Sequence, residues 1–156
     1  MKNFSRNGFS LLAIFFGIAA TLMIFFPAMS FPNSEESFLG FEIAFGVEFV
    51  NIGNLASGQV VGNILSMLAY ILPLAAIVIL MFVKKGTIVS MVLFGIGTVL
   101  LFLMPYYTVT TVSILGTINE IDIDWVKSTG LIIAIICSIG GLSVLIVKEW
   151  SLSRVA

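Results

Sequence analysis

The side chains able to do chemistry are few and unevenly placed. Five carboxylates, Glu42, Glu48, Glu120, Asp122 and Asp124, fall in two segments that separate long apolar runs. Carboxylates gathered this way can recognise a cation or a basic partner, so these five form the candidate partner-binding set. A charged strand face that simply meets water is the ordinary alternative. A hard cation such as calcium needs about six to eight oxygens in a defined cage. The run EIDID, residues 120–124, has no glycine at the turn position of an EF-hand loop, so no metal site is assigned. Gln59 and Asn63, four residues apart, are the candidates for a polar lining in an oligomeric channel. Such amides more often bond a neighbouring helix, and that reading is preferred. Cys137 is the single cysteine, and its apolar neighbours disfavour the thiolate, so it reads as a packing residue.

Other chemistry lacks its residue types. The chain has no histidine, which removes imidazole acid–base catalysis and the common zinc sets. No acid or base interrupts the long apolar runs, and ionisable groups inside a membrane are the usual coupling devices of transporters. The expected protein is therefore non-enzymatic, with no cofactor. Net charge is -1, which offers nothing to attract nucleic acid.

The elements that must position these residues belong to a membrane protein. Apolar residues make up 60% of the chain and charged ones 10%. A soluble domain usually carries about 25% charged residues, so this surface suits lipid rather than water. One integral membrane domain, residues 1–156, is expected. Its spans are read at about 9–29, 58–83, 87–104 and 129–147, each near the roughly 20 residues that cross a bilayer. Pro73 lies inside the second span and Pro105 marks the expected end of the third. Ala28-Met29-Ser30 is a loose small-x-small processing site, but the apolar run before it exceeds the roughly 7–15 residues of a signal core, so a retained span is expected.

The charges sort by side. Lys2, Arg6, Lys84, Lys85, Lys148 and Arg154 flank one side of the four spans; Glu35, Glu36, Glu42, Glu48, Glu120, Asp122 and Asp124 flank the other. The excess of basic residues makes the first side cytoplasmic, with both termini there, and predicts a multi-pass protein of the cell membrane. Lys127 outside and Glu149 inside are the exceptions.

Small residues recur at spacing four along the spans: Ala13, Gly17 and Thr21; Gly58, Gly62 and Ser66; Gly130, Ala134 and Ser138. That spacing places each set on one helix face, where backbones can approach closely. Packing within one four-helix bundle is preferred over a GxxxG-type self-association site.

The outer segments, about 30–57 and 105–128, carry strand patterns. In FLGFEIAFGVEF, residues 38–49, Leu39, Phe41, Ile43, Phe45, Val47 and Phe49 alternate with Phe38, Gly40, Glu42, Ala44, Gly46 and Glu48. Period two argues a strand with one buried face, and Gly46 is a candidate break with Val47–Asn51 as a returning arm. NIGNLASG reads as a turn and a helix start. Tyr106–Leu115 is rich in β-branched and aromatic residues, so it is either a strand or a continuation of the third helix. EIDIDW places Glu120, Asp122 and Asp124 on one face. A lone two-stranded ribbon is marginal in water, so strands from both segments are expected to pair into a small extracellular β-sheet cap over the bundle.

This layout of four spans, inner termini, a strand-bearing first outer segment and a short inner turn at KKG resembles the claudin-like tetraspan architecture across the whole chain. The claudin loop motif, a Gly-Leu-Trp and a cysteine pair, has no counterpart in the first outer segment, so the resemblance extends to layout and not to a sealing function. GFEIAFG, residues 40–46, looks like the outer loop of small uncharacterised four-helix membrane proteins of Gram-positive bacteria and mycoplasmas; that resemblance implies the same architecture and no particular activity. Small four-helix lipoprotein signal peptidases are similar in size, but the motifs around their two aspartates are not found at Asp122 and Asp124. The expected role is structural or interactive: a membrane or extracellular protein partner, or a homo-oligomer, recognised by the acidic cap. The alternative is an oligomeric passive channel or small transporter.

Overall fold

The computed structural model describes residues 2–53, 55–83 and 86–153, the side chains of residues 2–7 and Leu152 excepted. Lys84, Lys85 and Arg154, and the side chains of Lys2 and Arg6, lie outside the described part. Four helices are long and apolar enough to cross a membrane: α1 (Lys2–Leu22), α3 (Ile64–Phe82), α4 (Thr87–Tyr107) and α5 (Thr129–Ser153). A short helix, α2, spans Gly40–Phe45. α1 packs against α3 and α5, and α4 packs against the same two, giving a four-helix bundle. Only 17–33% of each apolar window is buried inside the protein. Leu11, Phe15, Phe82, Ile88 and Ile136 stand outward, an apolar surface that water does not tolerate over this extent.

Among the described residues, seven strands in two antiparallel sheets lie between the long helices. The first has the order β2 (Ser37–Leu39), β1 (Pro27–Ser30), β7 (Val126–Lys127). The second has the order β3 (Val47–Asn51), β4 (Ala56–Val60), β5 (Thr110–Ile114), β6 (Thr117–Ile121). Each sheet joins strands of the first outer segment to strands of the second, so the pairing expected for one sheet is realised in two. The reason is local. Helix α2 separates β2 from β3, and one continuous strand is not available.

That helix corrects the strand reading of residues 38–49. The same letters satisfy two periods. Gly40, Ile43 and Ala44, spaced three and four apart, face inward and are buried. Phe41 and Phe45, one turn apart, face outward with ring centroids 4.6 Å apart. The face Leu39/Phe41/Ile43/Phe45 is therefore not a common core face. Tertiary contact favours the helix: a Cβ at Gly40 would lie 2.7 Å from the Tyr70 hydroxyl, and only glycine lets the chain approach α3 so closely. Gly46, at φ +89°, ends the helix and turns the chain into β3, as the expected break at that residue requires.

The second span also starts later than expected. Gly58 and Gln59 belong to β4, and α3 begins at Ile64. Asn63 is its N-cap: its side-chain oxygen accepts the Leu65 N–H at 2.9 Å, while its Nδ2 donates to the Tyr107 carbonyl at 3.0 Å. The first span gives way after Phe25 to β1, where Ala28 and Met29 are fully buried. The third continues through Pro105 to Tyr107, and β5 follows; Tyr106–Leu115 is thus helix end and then strand.

The core is continuous between sheets and bundle. Met29, Phe38, Ile43 and Val60 pack with Tyr70, Leu101, Met104 and Leu131. Phe31, Phe38, Phe49 and Trp125 form an aromatic cluster, with Phe31 stacked on Trp125 at 5.1 Å between centroids. A second core, at the other end of the bundle, holds Ala13, Ala76, Ile77, Phe94 and Leu145.

Small residues bring the helices together inside this one chain. A Cβ at Gly17 would meet Ile77 at 2.6 Å and the Pro73 carbonyl at 3.2 Å. Gly130 lies against Phe26 and the Pro27 carbonyl. Ala13, Ala134 and Ser138 are fully buried. The Gly58/Gly62/Ser66 set is corrected: the three residues occupy a strand, a loop and a helix, so they share no helix face. Gly62 instead admits the backbone of Phe45, 2.6 Å from a notional Cβ. Hydroxyls add bonds across helices. Thr98 donates to Ser138 Oγ at 2.9 Å, Ser90 donates to the Ala76 carbonyl at 2.7 Å, and Thr21 donates to the Tyr70 carbonyl at 3.1 Å. The last bond lies beside Pro73, which removes a helical donor in that turn.

Candidate functional site

The candidate polar residues divide into those with a structural task and those that remain presented outward. Glu42 has a task. Its Oε2 accepts the Leu39 N–H at 2.8 Å, holding the start of α2 as acids in a first helical turn commonly do. Glu42 and Glu48 do not share a face, because one is in α2 and the other in β3. Asn63 is committed to the α3 cap. With Gln59 on a strand, the two amides do not form the helical stripe that a pore lining needs. Cys137 sits half-buried on α5.

Glu48, Gln59 and Glu120 meet on one surface. Strand register pairs Glu48 with Gln59, Gln59 with Thr111, and Thr111 with Glu120. Paired residues of adjacent strands point to the same side, so these four make one row across the whole sheet. The neighbouring row carries Asn51, Ser57, Ser113 and Ile118. The opposite face is turned to the core: Val60, Gly58 and Thr110 are buried there, and the Phe49 ring fills the space that a Cβ on Gly58 would take. A bulge between Glu48 and Val50 lets Phe49 reach inward while Glu48 stays outward. Three inter-strand steps of about 4.8 Å set the two carboxylates roughly 14 Å apart. Amide and hydroxyl groups fill the interval. Glu48 also accepts from Asn51 Nδ2 at 2.9 Å, and Asn51 in turn accepts the Gly53 N–H at 2.9 Å, which steadies the β3–β4 turn. At the Glu48 end, a recess of about 280 Å³ is bordered by Phe45, Gly46, Gln59 and Gly62.

Asp122 and Asp124 lie beyond β6, in the irregular stretch before β7, so the expected common face with Glu120 does not form. They line a cavity of about 600 Å³ together with Pro105, Tyr106, Trp125 and Lys127. Lys127 places its ammonium 3.6 Å from the centroid of the Phe102 ring, a cation–π contact. Among the described residues, no group of three or more His, Cys, Asp or Glu side chains converges as a metal would require.

The arrangement is thus a polar, acid-ended sheet surface able to accept and donate hydrogen bonds, with a charged cavity beside it. The Glu48–Glu120 row was hidden in the sequence because its members come from four strands spanning both outer segments, and no local spacing relates them. In the sequence Lys127 stands out only as the lone basic residue in the acidic segments, and nothing there relates it to Phe102. No protein-family model, no curated protein and no solved structure matches this chain.

Proposed function

We propose that this chain is a non-enzymatic, multi-pass protein of the cell membrane that uses its sheet end to hold a protein partner. The observation that carries the reading is the row Glu48–Gln59–Thr111–Glu120: a flat, hydrogen-bonding surface with a carboxylate at each end, backed by an aromatic core. Such a surface is complementary to a basic, extended or flat epitope. Charge sorting supports the orientation. In the sequence, seven of the eight acids fall in the segments outside one end of the spans and six of the seven basic residues outside the other, so the positive-inside rule favours the sheets outside the cell and both termini in the cytoplasm. In that orientation the sheets form the extracellular cap of a tetraspan layout.

Affinity purification from the native membrane in mild detergent tests the reading, comparing the wild type with the Glu48→Gln/Glu120→Gln double variant by quantitative mass spectrometry. A stoichiometric partner whose recovery falls at least several-fold in the variant supports it. Equal recovery of every co-purifying protein, or a homo-oligomer with no partner, refutes it. Glu42→Gln serves as a contrast, because Glu42 caps α2 and is outside the row.

A further inference from the structure

We propose that the cavity between the outer end of α4 and the 122–127 segment is a binding site for the headgroup of a zwitterionic aminophospholipid. Its wall contains both charges that such a headgroup matches. Asp122 and Asp124 supply carboxylates and Lys127 supplies an ammonium, all on one cavity of about 600 Å³. The opposed charges do not neutralise each other: among the described residues, no carboxylate pairs with Lys127, whose ammonium rests on the Phe102 ring instead.

The charges meet different turns of α4. Phe102 and Tyr106 are one turn apart on α4, and both are exposed, at 53% and 80%. Phe102 lies five residues before the helix end at Tyr107, roughly 7 Å along the axis. The Lys127 ammonium therefore sits about one turn inside the end of α4, beside an exposed ring of an apolar helix. In the membrane orientation proposed above, a lipid phosphate is the anion that approaches this end of an apolar helix. Lysine stems commonly lie along apolar surface with the charged head at the interface. Asp122 and Asp124 line the cavity beside Pro105 and Tyr106, at the last turn of α4. The lipid phosphate would meet Lys127, and the amine beyond it would meet the two carboxylates. Tyr106, mostly exposed on the same wall, offers a phenol beside them.

The site rests on the multi-pass reading, and the two fail separately. Extraction of the protein from membranes without detergent would defeat the multi-pass reading. Headgroup selection is tested on the detergent-purified full chain. Trp150→Phe leaves Trp125, on the cavity wall, as the sole tryptophan reporter. The probes are dihexanoyl phosphatidylethanolamine, dihexanoyl phosphatidylglycerol and soluble phosphoethanolamine, titrated by fluorescence. The expected result is tighter binding of the ethanolamine lipid than of the glycerol lipid, by about tenfold, as charge-assisted contacts to the amine imply. Asp122→Asn/Asp124→Asn should erase that preference and leave glycerol-lipid binding unchanged. Lys127→Gln should weaken both lipids. Equal binding of the two lipids by the wild type overturns the proposal without recourse to any variant. So does a preference that survives in the aspartate variant. Phosphoethanolamine binding as tightly as the lipid would assign the site to a free solute and overturn its lipid source.

Discussion

The two ends of the molecule are held together by different forces. In the bundle, side chains are small where helices meet: Gly17 admits Ile77 and Phe94, Gly141 admits the Phe94 ring, and Gly97 admits the Pro73 ring. At the sheet end the packing is large and aromatic, with Phe31, Phe38, Phe49 and Trp125 in mutual ring contact. The solvents explain the contrast. Lipid tails are as apolar as the helices, so association there must come from close van der Waals contact and cross-helix hydrogen bonds. A sheet end that faces water, as proposed, gains from removing aromatic surface from solvent. The bundle core thus rests on small-residue contacts between long helices, while the sheet end adds a cluster of aromatic rings to its own close glycine contacts at Gly40, Gly58 and Gly62.

Substitutions can break that contrast, and their effects should rank. Trp125→Ala removes the largest member of the aromatic cluster and should destabilise the protein by about 3–5 kcal/mol, read as a loss of thermal stability in detergent. A loss below about 1 kcal/mol would mean the cluster is not the cap's main core. Gly17→Leu should cost about 1–3 kcal/mol through overpacking against α3 and α4, whereas Gly95→Leu should be near neutral, since nothing lies within 4 Å of its notional Cβ. Equal effects at Gly17 and Gly95 would refute the assignment of inward and outward faces. Asn63→Ala should cost about 1 kcal/mol, and more than Asn63→Asp, because aspartate keeps the cap to Leu65 while losing the donor to Tyr107. Amide hydrogen exchange at the first turn of α3 would report this locally. Ser138→Ala, which removes the acceptor of the Thr98 hydroxyl in the bundle, should be the smallest of the series at about 0.6 kcal/mol, the usual size of such bonds between membrane helices. A loss above about 2 kcal/mol would show that hydrogen bonds rather than close packing dominate the bundle.

Sequence patterning was a good guide wherever one signal dominated. The apolar runs located four long helices; the β-branched run near Thr110 allowed β5 but did not separate it from a longer third helix. It was a poor guide where two periods coincided. GFEIAF fits a strand by alternation and a helix by the inward set Gly40, Ile43 and Ala44, and no count within six residues separates them. The start of α3 was legible in one residue, Asn63, whose type and place before an apolar run make an N-cap; the hydropathy of Gly58–Val61 concealed it. Among the candidate site residues, Glu42 and Asn63 were legible as polar but not as caps, because a capping bond depends on a backbone turn that neighbouring contacts select.

By itself the sequence determined the polarity of each segment: four apolar helices, polar segments between them, and acids and bases concentrated in different segments. These are sums over residue types, and transfer free energies are nearly additive. Only the tertiary structure decided which polar groups meet. It paired β4 with β5 and so aligned Glu48, Gln59, Thr111 and Glu120, and it laid Lys127 on Phe102 across a cavity from Asp122 and Asp124. Those juxtapositions join residues as far as 72 positions apart in the chain, from Glu48 to Glu120. Strand register and helix packing set them, through contacts that no local window contains.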